Sequence, residues 1–302
     1  MSSVVLAKPH SALAGIFLAI AAVASFATLD TTIKFISGGV PVLMALWFRF
    51  TFQLLATTAV FAPSRGARML HTLHLRFQVL RGLLLLGTTV LAFLSLKHMP
   101  VAEFTAAISI TPLVVTLLAA ARLKQKVSML RWALVAGGFA GTMVIVRPTQ
   151  DDFSLAMLLP LLVVGMSTGF QLLTSRMAQT ESPVTMHFYT GLVGTLVTSL
   201  ALPFVWVTLE SSTLWWCLGM IGIAGSAGHF LLILAYQRAE PAVLSPYLYG
   251  QIPFAMLGGW LVFSQVPDGW SMVGIALIAL CGAVGAWQTR RDARVAASQV
   301  IF

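Results

Sequence analysis

The chain has 302 residues, 58% of them hydrophobic and only 9% charged, where a soluble domain carries roughly 25%. With a mean hydropathy of +0.92, this excludes a soluble enzyme, a disordered chain and a nucleic-acid-binding module, because too little polar surface remains to face water. Net charge is +9, and in a membrane protein such an excess marks orientation.

Apolar runs of about 20 residues, the length of a spanning helix, recur along the whole chain. Ten are expected, at 12–36, 41–62, 78–97, 100–121, 131–147, 154–176, 183–207, 213–237, 241–263 and 269–289. The first follows Lys8 and passes Ala22-Val23-Ala24 before Ser25, like a cleavable signal peptide. The repeat described below uses Ser25 onward inside a full helix, so an uncleaved span is expected. Short joints such as Ser37-Gly38-Gly39-Val40 force antiparallel hairpins, and the longest gap, 63–77, is too short to fold alone. Helices 5 and 10 carry Gly137-x3-Gly141 and Gly274 with Gly282. Such spacing dimerises helices or packs them within their own bundle, and the second is expected. Helix 9 holds Pro246, Gly250 and Pro253, which loosen it and free carbonyls. Trp215 and Trp216 read as an outer aromatic belt. Cys217 and Cys281 are too few for a disulfide framework or a thiolate metal site and read as small core residues.

With both termini in the cytoplasm, fourteen of the 18 Lys and Arg fall on inner segments. Only Lys34, Lys97 and Arg147 fall outside, and Arg49 lies within a span. That bias fixes an N-in, C-in topology and supports an even number of spans.

Residue n also matches n+141 or n+142 in fixed order. Lys97 and Pro100 lie on Arg238 and Pro241, Pro112 on Pro253, Ser25 on Ser167, Lys34 on Arg176, Pro41 on Pro183, and Trp47 on Tyr189. Two five-helix units follow, 1–150 and 151–302. Five is odd, so the units are inverted. This is the construction of many secondary transporters, with the substrate near the midplane between the repeats. The fold class is therefore an all-α integral membrane protein of ten helices in two inverted repeats.

These features resemble the drug/metabolite transporter superfamily, EamA type, over nearly the whole chain. The likeness rests on the inverted units, on Arg49-Phe50 in helix 2, and on helix 4 running from Ala106 to Pro112 into an apolar stretch, with Pro253 repeating that proline. One departure stands out. Where many relatives have a glutamate-containing turn after helices 4 and 9, this chain has Gln125 and Val266. The resemblance implies a cavity lined by helices 1–4 and 6–9, with 5 and 10 outside. The aromatic second half looks most like bacterial amino-acid exporters.

Polar groups at membrane depth are costly and so are candidates. Asp30 lies about 9 Å and Arg49 about 12 Å below the outer ends of helices 1 and 2. A pair is inferred, either substrate-linked or a fixed bridge, with Lys34 one turn beyond Asp30 as a competitor. Lys34, Lys97, Arg176 and Arg238 form two matching gate clusters, with Glu103 and Glu240 near them, or else snorkel to the interface. His229 sits mid-span after Ala224-Gly225-Ser226-Ala227-Gly228, opposite Thr88 in the repeat. Tyr247 and Gln251 share a face four residues apart, and Trp47 and Tyr189 face them across the cavity. Aromatic walls with a few hydrogen-bonding groups suit an amphipathic molecule; packing or lipid contact is the alternative. Ser226 and His229 lack an orienting acid, so hydrolysis is not expected.

The expected function is export of amino acids or similar small amphipathic metabolites across the bacterial inner membrane by alternating access. The partners are that small molecule and the bilayer, with no nucleic acid and a monomeric state. No Walker motif is present, and neither enzymatic activity, cofactor nor metal is expected. A drug or nucleotide-sugar carrier and a channel-like facilitator remain as alternatives.

Overall fold

A computed structural model describes residues 9–98, 108–122, 125, 127–147 and 158–299. The helices are α1 (Pro9–Ile36), α2 (Val42–Arg65), α3 (Leu75–His98), α4 (Thr111–Arg122), α5 (Met129–Val146), α6 (Leu158–Met177), α7 (Pro183–Val205), α8 (Ser212–Arg238), α9 (Pro241–Leu248), α10 (Gln251–Phe263) and α11 (Gly269–Gln299). A 3-10 turn, Gly66–Leu70, follows α2. Helices α1, α2, α3, α6, α7, α8 and α11 are each long and apolar enough to cross a membrane, and α4 and α5 are shorter apolar helices.

The ninth span is split into α9 and α10 by a turn at Tyr249-Gly250. The fourth has a turn at Ser109-Ile110, within one residue of the equivalent place. In both, a proline follows closely, Pro112 or Pro253. A proline nitrogen cannot donate and its ring crowds the carbonyl four residues back, so the same chemistry breaks both copies. α11 runs beyond the expected end at residue 289. Its polar extension, Arg290-Arg291-Asp292, consists of residues that tolerate helix in water, and Asp292 pairs with Arg131 at 3.8 Å.

Eight spans close into a ring. α1 packs on α8, α8 on α2, α2 on α7, α7 on α3, α3 on α6, α6 on α4 and α4 on α9, while α9 and α10 return to α1. α5 and α11 pair with each other outside that ring. Exchanging the first five spans with the second five maps this set of pairings onto itself, with α2–α7, α4–α9 and α5–α11 each mapping onto itself. Glycines set the closest approaches. Gly141 and Gly274 face each other's carbonyls, and Gly137 faces Cys281, so the glycine spacing packs α5 on α11 within one chain. Gly191 of α7 lies against the Leu54 backbone, and Gly194 against the Phe50 ring.

Those contacts also establish the inversion. α2 runs antiparallel to α7, because Gly191 meets Leu54, Trp47 bonds Ser199 and Arg65 bonds Ser182. α1 reverses into α2, and α6 reverses into α7. α1 and α6 therefore run in opposite directions.

Where α11 begins, Asp268 caps it, accepting from the Ser271 backbone at 2.9 Å and from Arg147 at 2.5 Å. Hydrogen bonds from the Ser271 side chain and backbone, with the Arg147 guanidinium beside it, hold the Asp268 carboxyl down at about 2. A depressed carboxyl favours the folded state above the ordinary value of 3.8 and loses that contribution as pH falls toward 2. Asp268→Asn is expected to lower the thermal midpoint at pH 7, with the gap from the parent closing as pH falls toward 2.

Candidate functional site

The packing of α1 shows where the ring's interior lies. Phe26 meets Gly228 of α8, and Leu29 packs with Leu218 and Ile221. Val23 meets Gly250 and Thr31 meets Gly258 on the ninth span. With 3.6 residues per turn, Asp30 projects between these two faces, into the ring. Phe17, Ala21, Thr28 and Phe35 form the opposite exposed stripe, toward lipid. Asp30 is nevertheless solvent-accessible, which requires a water-sized space inside the ring. Its Oδ2 accepts from Gln251 Nε2 at 2.7 Å.

Arg49 is 1% exposed. Its Nη1 donates to Thr89 Oγ1 at 2.9 Å and its Nη2 to His229 Nε2 at 2.7 Å. A guanidinium only donates, so His229 Nε2 is the bare nitrogen and Nδ1 carries the proton. Nδ1 has no partner. The His229 ring lies between Phe26, 4.7 Å away, and Phe170, 5.6 Å away. Gly225 gives Arg49 its room, since a Cβ there would sit 2.7 Å from Nε.

A second polar group lies on α7. His187 Nε2 donates to the Ser226 carbonyl at 3.0 Å, and its Nδ1 contacts Thr57 Oγ1 at 2.7 Å. Gln53 donates to the His187 carbonyl. Beside it Arg81 is completely buried, donates to the Met186 carbonyl and faces the Phe170 ring at 5.7 Å.

Below these groups the ring is closed. Met177 at the end of α6 with Ala178 just after it, Met186 of α7, Ile16 and Ala19 of α1, Leu232, Ile233 and Tyr236 of α8 and Leu244 of α9 form one apolar plug. Gln179 donates to the Tyr236 carbonyl at 2.8 Å and Gln237 to the Ala178 carbonyl at 3.2 Å, tying α6 to α8. Around the rim, Glu181 accepts from Thr72 Oγ1 at 2.8 Å and Leu73 N at 2.9 Å, and Arg65 donates to Ser182. Among the described residues no matching plug joins α1 to α3 at the opposite end.

Several expected placements differ. Asp30 and Arg49 do not form an ion pair: His229 and Thr89 hold the guanidinium, and Gln251 holds the carboxylate. Lys34 lies over the Phe263 ring at 5.0 Å instead of competing for Asp30. Thr89, not its neighbour Thr88, reaches Arg49; the Thr88 hydroxyl bonds back to Leu84. Tyr247 and Gln251 do not share a face, because the break at Tyr249-Gly250 resets the helical phase. Tyr247 packs against Gly282 and Gly285 of α11, and Tyr249 against Gly138 of α5. Trp47 donates to Ser199 at 2.8 Å, and Tyr189 donates to the Leu70 carbonyl at 2.9 Å near the closed end. Arg176 is exposed, and Arg238 donates to its own helix at the Leu234 carbonyl. The side chain of Lys97, all of Glu103 and Pro100 lie outside the described residues. Arg81, counted among the inner-segment cations, is buried beside the cluster. Its place inside the apolar run 78–97 was the available signal. Phe26 and Phe170 carried no signal, because they are two among 19 phenylalanines.

Among the described residues no group of three His, Cys, Asp or Glu converges to hold a metal. An apolar cavity of about 530 Å³ lies between α10 and α11, lined by residues such as Phe254, Trp260 and Met272. It contains none of the polar cluster. The cluster itself offers hydrogen-bond donors between two phenyl rings, above a closed end and below an accessible carboxylate.

A solved crystal structure superposes with a TM-score of 0.78 at 18% identity, over 92% of this chain and 98% of that one, which establishes the fold. A riboflavin transporter of Vibrio cholerae is 32% identical over 65% of this chain, and the match spans just under two thirds, 66%, of that protein. An S-adenosylmethionine uptake transporter of Rickettsia bellii is 27% identical over 77% of this chain and 79% of its own length. The EamA-like transporter family matches residues 13–147 and 155–286, one match for each half. The chain is thus a multi-pass membrane protein and not an enzyme, and it belongs to the EamA-like transporter family.

Proposed function

We propose that this protein carries riboflavin, or a metabolite with a similarly flat, acceptor-rich ring, across the bacterial cytoplasmic membrane by alternating access. The observation that carries this reading is the Arg49–Thr89–His229 cluster between Phe26 and Phe170. A flat heteroaromatic ring stacks on phenyl groups, and its carbonyl edge accepts from guanidinium and imidazole donors. The named relatives favour such cargo over free amino acids. Both termini lie in the cytoplasm, so the plugged end faces inward and the Asp30 space opens outward. The units 1–150 and 151–302 rock against each other, as a monomer. A periplasm-active reporter fused after Phe302 is expected to stay silent; activity would reverse the orientation.

The cargo test is counterflow in proteoliposomes with labelled riboflavin, S-adenosylmethionine and phenylalanine. Internal riboflavin is expected to accelerate entry of labelled riboflavin. Acceleration by phenylalanine alone would restore amino-acid carriage. Flux without trans-acceleration would mean a channel.

A further inference from the structure

We propose that Arg49 and Arg81 form a binding site for an oxyanion, a carboxylate or phosphate group, carried on the transported molecule. The proposal rests on the carrier reading above and narrows it: riboflavin itself carries no oxyanion, so among flat-ring cargoes the site favours a phosphorylated or carboxylated one.

Two guanidiniums are buried within the ring, at 1% and 0% exposure, on α2 and α3. Neither has a carboxylate within ion-pair distance: the ion pairs among the described residues are Arg131–Asp292 and Arg147–Asp268. Two acids act on them through space only: Asp30, which accepts from Gln251, on Arg49, and Glu181, which accepts from Thr72 and Leu73, on Arg81. Arginine cannot shed its proton to escape burial. A buried charge held without a direct ion-pair partner is costly, and the cost is greater at membrane depth.

The open hydrogen-bonding capacity has one dominant sign. Arg49 Nε, Arg81 Nε, Arg81 Nη1 and His229 Nδ1 are all buried without a partner. All four are donors, since His229 Nε2 is occupied as an acceptor. Gln53 and Gln78 leave amide oxygens open nearby, but an amide cannot neutralise a cation. The groups form one cluster. The Phe170 ring has Arg81 on one side at 5.7 Å and His229 on another at 5.6 Å, and His229 joins Arg49. The cluster sits against the plug, because Met186, which accepts from Arg81, is a plug residue. Both guanidiniums are covered in this state and become available when the plug residues separate. An oxyanion there meets several N–H donors and two positive charges, the arrangement that guanidinium forks recognise.

The test uses inorganic phosphate as the probe, with the purified full chain in detergent and chloride at equal ionic strength as reference. Phosphate is expected to raise the thermal midpoint by about 5 °C. Arg81→Gln and Arg49→Gln are expected to lose the rise, and Arg81→Lys to keep part of it, since lysine retains charge without the fork. No rise in the parent protein, or a full rise in Arg81→Gln, overturns the site. If Arg81→Gln does not fold, Arg81→Lys decides, and an undiminished rise there overturns it. Flavin mononucleotide binding about tenfold more tightly than riboflavin ties the site to a flavin cargo. Phosphate stabilisation without binding of either flavin keeps the anion site and overturns the flavin reading.

Discussion

Gly191→Leu is expected to destabilise the protein by about 3 kcal/mol, lowering both its membrane abundance and its thermal midpoint. A Cβ at Gly191 would lie 2.9 Å from the Leu54 nitrogen and 3.1 Å from its Cα. Those are backbone atoms, so no rotamer change relieves the clash, and α2 must move away from α7. That pair is one of those through which the two units meet symmetrically. Gly165 and Gly219 provide the contrast, because nothing lies within 4 Å of a Cβ at either position. Alanine there is expected to be neutral or to stabilise by up to about 1 kcal/mol through helix propensity. Equal loss at Gly191 and Gly219 would mean that close approach is not what the glycine supplies.

His229→Ala is expected to cut transport by about ten- to hundredfold with protein remaining in the membrane. The substitution leaves Nη2 of a buried guanidinium without an acceptor, a loss of about 1–3 kcal/mol. It also removes the ring between Phe26 and Phe170. His229→Gln supplies an amide oxygen to the same guanidinium and is expected to recover part of the rate. Transport per molecule in proteoliposomes, with the incorporated protein measured beside it, checks both. Normal transport by His229→Ala would remove the cluster from the site.

The fold was legible because its determinants repeat. Apolar runs located the spans, the basic bias set their even number, and Pro112 with Pro253 marked the paired breaks. The site was legible only in part. Asp30, Arg49, His229 and Gln251 were visible as polar residues inside apolar runs, since depth follows from sequence position. Their partners were not visible, because partnership depends on how neighbouring helices rotate. Asp30 and Arg49 lie at similar depth on consecutive helices, yet α8 packs between those helices and supplies His229 to Arg49, while α10 supplies Gln251 to Asp30. Tyr247 was misplaced for a different reason: a helical face cannot be extrapolated across a break.

In the proposed orientation the ring of helices is plugged at its cytoplasmic end and Asp30 faces a space that opens outward. Asp30→Cys, in a chain with Cys217 and Cys281 replaced by alanine, tests it with a membrane-impermeant maleimide applied to either face of oriented vesicles. Labelling from the periplasmic face, with Met186→Cys protected from both faces, is the expected result. Labelling of Asp30→Cys from the cytoplasmic face alone, or free labelling of Met186→Cys from the cytoplasm, would contradict it.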